Sequence, residues 1–415
     1  MRIVADLHVH SKYSRATSPD MEVSGISKWA KVKGIGLVGT GDFTHPEYLA
    51  ELKRKLTPLG NGFFEYDGVR FILSAEVSNI FQQDGLKKIH NIIYSPSFEL
   101  AEQLNDKLAK WGNLKADGRP TFGSRSASEL VELVMETSKE FMVVPAHAWT
   151  PWFSVFGANS GFDSVEEAYG GMSKHIYALE TGLSSDPAMN WRLSSLDKYA
   201  LISNSDAHSP KKLGREANVF ELEEVSYAEL MNAIKTKDTK KFKLTYEFYP
   251  EEGKYHFDGH RDCGIRFSPE ESKKHNNICP VCRKQLTVGV MHRVDELADR
   301  EPGFVPKNAV PFENLVPLEE VISEAVGKGT GTKKVDEEYW RLIKKFGNEL
   351  AVLHAKKEEI ELVSGERIAD GVSRMREGKI RVIPGYDGVY GVVDVFGKKE
   401  DDKDKSSKQS SLGDF

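Results

Sequence analysis

The chain holds only three cysteines in 415 residues, which argues against a disulfide framework and favours a reducing, cytoplasmic setting. No run of about 18 apolar residues occurs, so no transmembrane helix is expected. The first residues, MRIVADLHVH, lack the charged n-region and long apolar h-region of a signal peptide. Excess positive charge is missing too: the formal net charge is −6. A protein gripping DNA with its whole surface would be basic, so any nucleic-acid contact must use local basic patches. No G-x-S-x-G elbow is present, which sets aside a serine nucleophile of that type. The Gly-rich basic loop at residues 328–334 lacks Walker spacing.

What is present is a charge-rich globular composition, 39% hydrophobic and 29% charged, long enough for two or three domains. Short apolar runs recur through the first 225 residues: RIVADL, IGLVGTGD, VRFILSAE, KIHNIIYS, FMVVPAH, YALETGL, ALISNSDAH and NVFELEE. Most are separated by segments of helical pattern, such as residues 128–139, with apolar positions three and four apart. Strands buried on both faces and alternating with helices predict a parallel β/α architecture. Polar residues at the C-terminal ends of these runs favour a barrel. The expected division is a catalytic domain over 1–245, a Cys/His-rich segment over 246–292 and a small helical domain over 293–396. Residues 397–415 are charged and Ser-rich, the composition of a disordered tail.

The first run ends in Asp6-Leu7-His8-Val9-His10. Residues two apart on a strand face the same side, so both imidazoles address one site. A lone His-x-His is poor evidence for a metal. Its weight grows because Thr40-Gly41-Asp42, Ser74-Ala75-Glu76, His90, Pro145-Ala146-His147, Glu180 and Asn204-Ser205-Asp206-Ala207-His208 all fall where a strand is expected to meet a loop. Any one of these is as easily a cap or a solvated side chain; together they point to a metal cluster. Mixed imidazole and carboxylate donors suit Zn, Mn or Fe better than Mg or Ca. Two ions sharing a carboxylate suit phosphoryl chemistry, one activating water and the other neutralising oxyanion charge.

In this order, DLHVH, TGD, SAE, His90, PAH and NSDAH resemble the polymerase-and-histidinol-phosphatase (PHP) family. The resemblance implies a distorted seven-stranded β/α barrel with two or three divalent metals (Zn, Mn or Mg) acting on phosphate esters. It implies His8, His10, Asp42, Glu76, His90, His147, Asp206 and His208 as ligands, with Glu76, Asp206 and His208 at the catalytic centre. Two departures stand out. The second family motif usually reads Asp-His, whereas Asp42 is followed by Phe43, with His45 three positions on. A further family histidine has no match in SKYSRAT. The third metal therefore stays open, and His45 is a ligand, a general acid or a surface residue. Glu180 is expected to orient a ligand rather than bind metal itself.

His260-Arg261-Asp262-Cys263 and Cys279-Pro280-Val281-Cys282 make an H-x₂-C and C-x₂-C pair, close to a zinc-ribbon pattern with one Cys replaced by His. A structural Zn on His260, Cys263, Cys279 and Cys282 is the expectation; inert buried cysteines are the alternative, and His256 and His275 compete for the fourth position. Residues 362–371 resemble the turn and second helix of a helix-hairpin-helix, with Gly365 and Arg367 placed to meet a DNA phosphate. Lys333 and Lys334 offer a second phosphate contact, or simple solvation. The final Gln409-Ser410-Ser411-Leu412-Gly413-Asp414-Phe415 resembles a peptide that docks on the sliding clamp PCNA, with Gln409 hydrogen-bonding and Leu412 and Phe415 filling an apolar pocket.

Joined together, these parts resemble the DNA repair endonucleases of the PHP family found in archaea and some bacteria. That likeness includes YHFDGHRDCG, the CPVC knuckle, HRVDELADR and the PGYDG segment. It implies nicking DNA on the 5′ side of deaminated bases (uracil, hypoxanthine, xanthine) and abasic sites, and a cytoplasmic, nucleoid-associated protein with no membrane partner. Base flipping would bring the lesion carbonyl to N–H donors. Gly170 and Gly171 are candidates for bare backbone donors, Asn190 for a hydrogen bond and Trp191 for stacking; an ordinary turn and packed aromatic are the alternative. The aromatic run at residues 149–153 either stacks bases near the metals or packs the core. A small-molecule phosphoesterase and a non-catalytic clamp-bound DNA adaptor remain open. The near-complete ligand set argues against the adaptor.

Overall fold

The computed structural model describes residues 1–397. Its first part is a ring of short strands. These are β1 (Arg2–Asp6), β2 (Leu37–Gly39), β3 (Val69–Gln82), β4 (Leu86–Ser95), β5 (Met142–Pro145), β6 (Ala178–Glu180) and β7 (Ala200–Ile202). Parallel ladders join β1 to β2, β2 to β3 and β6 to β7. Antiparallel ladders join β3 to β4 and β4 to β5. Single bridges complete the path, Val143 to Ile176 on one side and Val9 to Ala207 on the other. The result is a mixed sheet resembling a distorted barrel.

The interior is apolar. Ile3, Ala5, Leu7, Leu37, Ile72, Ile92, Val144, Ala178, Ala200 and Ile202 share one buried cluster. Small residues on β6 and β7 let the short strands close the ring. Helices α1 (Val23–Lys33), α2 (Pro46–Lys55), α3 (Phe98–Leu108) and α4 (Ala127–Thr137) cover the outside with a second apolar cluster. The helix expected over 128–139 starts a residue earlier, because Ser126 and Glu129 form a capping box.

The sheet differs from the all-parallel expectation for a physical reason. A turn at residues 83–85 separates β3 from β4, far too short for a crossover helix, so the two strands form a hairpin with ten register pairs. Two further strands, β8 (Ala217–Glu221) and β9 (Phe242–Glu247), continue the sheet antiparallel beyond β1. Glu76 and His90 consequently sit in mid-strand rather than at strand ends.

The next segment pairs β10 (Asp258–His260) with β11 (Ile265–Phe267), followed by α5 (Pro269–Lys274) and α6 (Val290–Leu297). β12 (Phe312–Asn314) then joins the edge of the main sheet at β9. Helices α7 (Leu318–Val326), α8 (Lys333–Phe346), α9 (Glu349–His354), α10 (Lys357–Ser364) and α11 (Glu366–Arg376) form a bundle, and β13 (Arg381–Ile383) with β14 (Val392–Asp394) ends the described chain. The turn of this last hairpin clamps the Cys/His segment: Asp387 accepts from Arg261 N at 2.6 Å and from Thr287 Oγ1 at 2.7 Å. No helix among the described residues is long and apolar enough to cross a membrane.

Candidate metal centre

Three groups of side chains converge at one end of the ring: His8, His10 and Glu76; His10, Asp206 and His208; and Glu76, His90 and His147. In each group the donor atoms lie within 4.8 Å of one another. Glu76 is common to two groups and His10 to two. Glu76 Oε2 is 3.2 Å from His10 Nε2, and Glu76 Oε1 is 2.8 Å from His90 Nδ1 and 3.1 Å from His147 Nε2. His10 Nε2 is 3.0 Å from Asp206 Oδ1. Both Asp206 and His208 are about a quarter exposed and form the rim.

The residues fit divalent metals on the evidence of their unused atoms. His8 Nε2, His10 Nε2 and Asp206 Oδ1 are buried with no hydrogen-bond partner. Their partners elsewhere fix the rings. His8 Nδ1 donates to Glu180 at 3.0 and 3.1 Å, and His10 Nδ1 to Ser14 Oγ and Asp42 Oδ1 at 3.1 and 3.2 Å. That tautomer leaves each Nε2 lone pair aimed at the cluster, the outer-layer arrangement typical of metal-binding histidines. Glu180 also accepts from His147 N at 2.8 Å and Asn204 Nδ2 at 2.9 Å. It thus orients three neighbours, the role expected for it.

The electrostatics ask for cations. Burial works to lower His8, yet Glu180, Asp206 and Glu76 hold it up to about 9. Burial opposes ionisation of Glu76, but Arg119 and the hydrogen bonds from His10 and His147 keep the carboxyl well below its ordinary range. Burial pushes His90 down to about 4, leaving it neutral. Asp42, His147 and Asp206 have φ of 47°, 30° and 48°, left-handed values that non-glycine residues adopt rarely and that collect at functional sites.

Two of the expected residues stand back from the three groups. Asp42 points at His10, and its Oδ2 accepts from Ser11 N, Ser11 Oγ and Ser14 Oγ at 2.7, 2.6 and 2.9 Å. These contacts make it an anchor for the His10 ring. His45 caps the start of α2 and stacks on Tyr13 with centroids 4.3 Å apart, buried but outside the three groups. Sequence reasoning missed Arg119, whose Nη1 donates to Glu76 Oε2 at 3.0 Å. A single arginine in a loop carries no motif.

The expected base-pocket residues lie apart from the three donor groups. Gly170 and Gly171 open the 3-10 turn before β6, whose far end carries Glu180, so they lie at the opposite end of the ring. Asn190 is buried and committed: its Oδ1 accepts from Trp149 Nε1 at 2.8 Å, and its Nδ2 donates to Ser185 Oγ and Asp186 O. Trp191 packs against Phe312 in the interior. In the aromatic run Trp149 is core and Phe153 lies against His90, with centroids 4.6 Å apart. Trp152 is 43% exposed and faces a groove of about 960 Å³ shared with Leu86, Lys87, Tyr255 and Arg293.

His260, Cys263, Cys279 and Cys282 form a separate four-donor group within 4.8 Å. His256 and His275 are elsewhere, stacked on Phe257 and Phe267. Lys333 and Lys334 open α8 on the surface. Gly365, at φ 84°, links α10 to α11, and the Arg367 guanidinium lies 3.4 Å over the Phe396 ring. Gln409, Leu412 and Phe415 lie outside the described residues.

The family described as PHP-associated matches residues 192–239, and that described as MJ0043 C-terminal domain matches residues 317–379. The chain is 36% identical over 255 residues to the uncharacterized protein MJ0043 of Methanocaldococcus jannaschii, a match covering 60% of this chain but only 31% of that longer relative. It is 29% identical over 409 residues to the uncharacterized protein YqxK of Bacillus subtilis, covering 94% of this chain and 99% of YqxK. The crystal structure of the lesion-specific endonuclease PfuEndoQ from Pyrococcus furiosus has a TM-score of 0.86 and 34% identity, covering 97% of this chain and 98% of that one. An endonuclease Q complex with a 27-mer duplex substrate bearing an abasic lesion at the active site has a TM-score of 0.84 and 33% identity, covering 97% of this chain and 100% of that one.

Proposed function

This chain belongs to the endonuclease Q family, and on that premise we propose that it is a metal-dependent DNA repair endonuclease. It hydrolyses the phosphodiester on the 5′ side of deaminated bases and abasic sites. The observation that carries the reading is the set of three donor groups knitted by Glu76 and His10, in a chain alike over nearly its whole length to an endonuclease solved on an abasic duplex. We assign residues 1–245 to a PHP barrel with β1–β7 as its seven strands, 246–292 to a zinc ribbon and 293–396 to a DNA-binding helical domain.

His8, His10, Glu76, His90, His147, Asp206 and His208 would hold two or three divalent ions (Zn, Mn or Mg), with Asp42 and Glu180 fixing the histidine rings. Bound there, the ions supply an activated water and neutralise charge on the phosphodiester. Glu76 presents one oxygen to His10 and the other to His90 and His147, so it would serve both donor groups with ions bound. The quarter-exposed rim of Asp206 and His208 admits a backbone phosphate while the histidines beneath stay dry. Trp152, exposed on the groove it shares with Tyr255 and Arg293, would be the stacking surface the run at 149–153 offers to an unpaired base. His260, Cys263, Cys279 and Cys282 would hold one structural Zn.

The test is a 5′-labelled duplex with one uracil, hypoxanthine or abasic site, against an undamaged duplex and p-nitrophenyl phosphate. A nick 5′ to the lesion with an extendable 3′-hydroxyl supports the reading. Hydrolysis of the nitrophenyl ester alone rejects it in favour of a small-molecule phosphoesterase. The clamp contact is proposed from Gln409, Leu412 and Phe415 alone. A peptide of residues 404–415 should bind PCNA in calorimetry, and Phe415→Ala should abolish the heat.

A further inference from the structure

We propose that Arg119 grips the scissile phosphate, its guanidinium donating to a non-bridging oxygen at the mouth of the metal centre. The inference rests on the phosphodiesterase reading above and deepens it. Arg119 Nη1 donates to Glu76 Oε2 at 3.0 Å, and its side chain is 31% exposed, so the group spans the buried cluster and the opening. A guanidinium carries five N–H donors in a planar fork, and among the described residues its one hydrogen-bond partner is Glu76. Its other N–H donors have no partner among the described residues, and Asp206 at the rim lies near enough to act on its charge.

Glu76 uses only one edge of this arginine. That carboxylate already meets His10 Nε2, His90 Nδ1 and His147 Nε2 at 3.2, 2.8 and 3.1 Å. A permanent cation held at the rim with donors to spare suits an anionic substrate that binds bidentately.

The loop that delivers Arg119 is fastened on every side. Gly118 N donates to Tyr13 O at 2.9 Å, and Gly118 O accepts from Thr44 Oγ1 at 3.2 Å. Asp117 Oδ1 accepts from Arg119 N at 3.1 Å and Arg15 N at 3.3 Å, and Pro120 O from Ser78 N at 2.9 Å. A Cβ on Gly118 would collide with Asp42 Oδ2 and Ser14 Oγ. Only glycine lets the loop lie against the anchor of His10, and that approach sets where the guanidinium emerges.

The experiment compares wild type, Arg119→Ala and Arg119→Lys in single-turnover nicking of a uracil duplex carrying either a normal phosphodiester or a charge-neutral methylphosphonate at the scissile position. Removing a preorganised donor should slow the normal substrate on the order of 100-fold, with lysine recovering part. On the methylphosphonate the alanine variant should lose little more than wild type does. Two readouts stand apart from turnover. Metal content should be unchanged, and in chelator-treated protein the slope of log affinity for the duplex against log salt should be shallower by about one in Arg119→Ala. Gly118→Ala, which retains the arginine but displaces its loop, should reproduce the nicking defect. Losses that simply add across the two substrates, or an unchanged salt slope, overturn the proposal. Loss of metal in Arg119→Ala also overturns it, since the arginine would then only support Glu76. If wild type does not nick lesion DNA, the endonuclease reading fails instead, and the salt slope still decides whether Arg119 meets phosphate.

Discussion

Glu180 holds three parts of the metal centre in place. It accepts from His8 Nδ1, His147 N and Asn204 Nδ2, and so fixes the ring of one candidate ligand and the backbone of another. Glu180→Ala should weaken metal binding roughly 10- to 100-fold while the fold persists, because outer-layer partners of metal histidines carry about that much. Metal analysis after dialysis at graded metal concentrations reads this directly, and retention at wild-type affinity would contradict it. A second residue speaks to pH. Burial raises Glu247 from 4.5 to about 8, although Thr245 Oγ1 and Thr181 Oγ1 donate to it at 2.6 and 3.0 Å. The folded chain therefore keeps this proton where the unfolded chain releases it. Its stabilisation is complete below about pH 4.5 and is lost as pH rises through about 8, by up to a few kcal/mol. Glu247→Gln should flatten that part of the profile of melting temperature against pH; an unaltered slope between pH 5 and 8 would rule the assignment out.

At the scale of elements, β1 and the loop after β7 were legible because their ligands are sequence neighbours: His8 and His10 alternate on an extended chain, and Asp206 and His208 follow a strand end. The β3–β4 hairpin was harder. Both of its apolar runs were visible, but Glu76 and His90 face the site from mid-strand, where periodicity marks burial and not chemistry. Asp42 was legible as a site residue; nothing in TGD distinguishes a ligand from an anchor, and its hydrogen bonds to His10, Ser11 and Ser14 are long-range. The places of Arg119 and Gly170 depend on which end of the ring a loop reaches, a long-range fact that no local pattern holds. The Cys/His segment is the opposite case, with spacing alone naming all four donors. The last hairpin leans on it through Asp387. Cys282→Ser should cost one equivalent of zinc and raise amide exchange in residues 254–292 and 381–394, with the ring's protection unchanged. Exchange confined to the mutated knuckle would show that the clamp, not the metal, holds the segment.

The whole molecule is joined by one buried ion pair far in sequence from either partner's neighbours. Lys33, at the end of α1, meets Glu349, at the start of α9, at 2.6 Å, and both side chains are nearly inaccessible. Glu349 also accepts from Tyr339 Oη at 2.6 Å and Leu318 N at 3.1 Å, so one carboxylate ties the ring to three helices of the bundle. Desolvation offsets most of the Coulomb attraction in such a pair, and its presence is poor evidence of net stability. Breaking it is another matter. Glu349→Ala leaves a buried ammonium and two buried donors without an acceptor, and should cost about 3–5 kcal/mol. The loss should fall on the junction: calorimetry of the variant should resolve the bundle melting before the ring, where wild type melts more nearly as one. Lys33→Met combined with Glu349→Leu removes both charges and should recover most of the loss, which distinguishes an uncompensated charge from lost packing. If the double variant is as unstable as Glu349→Ala, the pair contributes through shape and its hydrogen bonds. In either outcome the nicking assay on the same variants reports whether the position of the bundle matters to the metal centre.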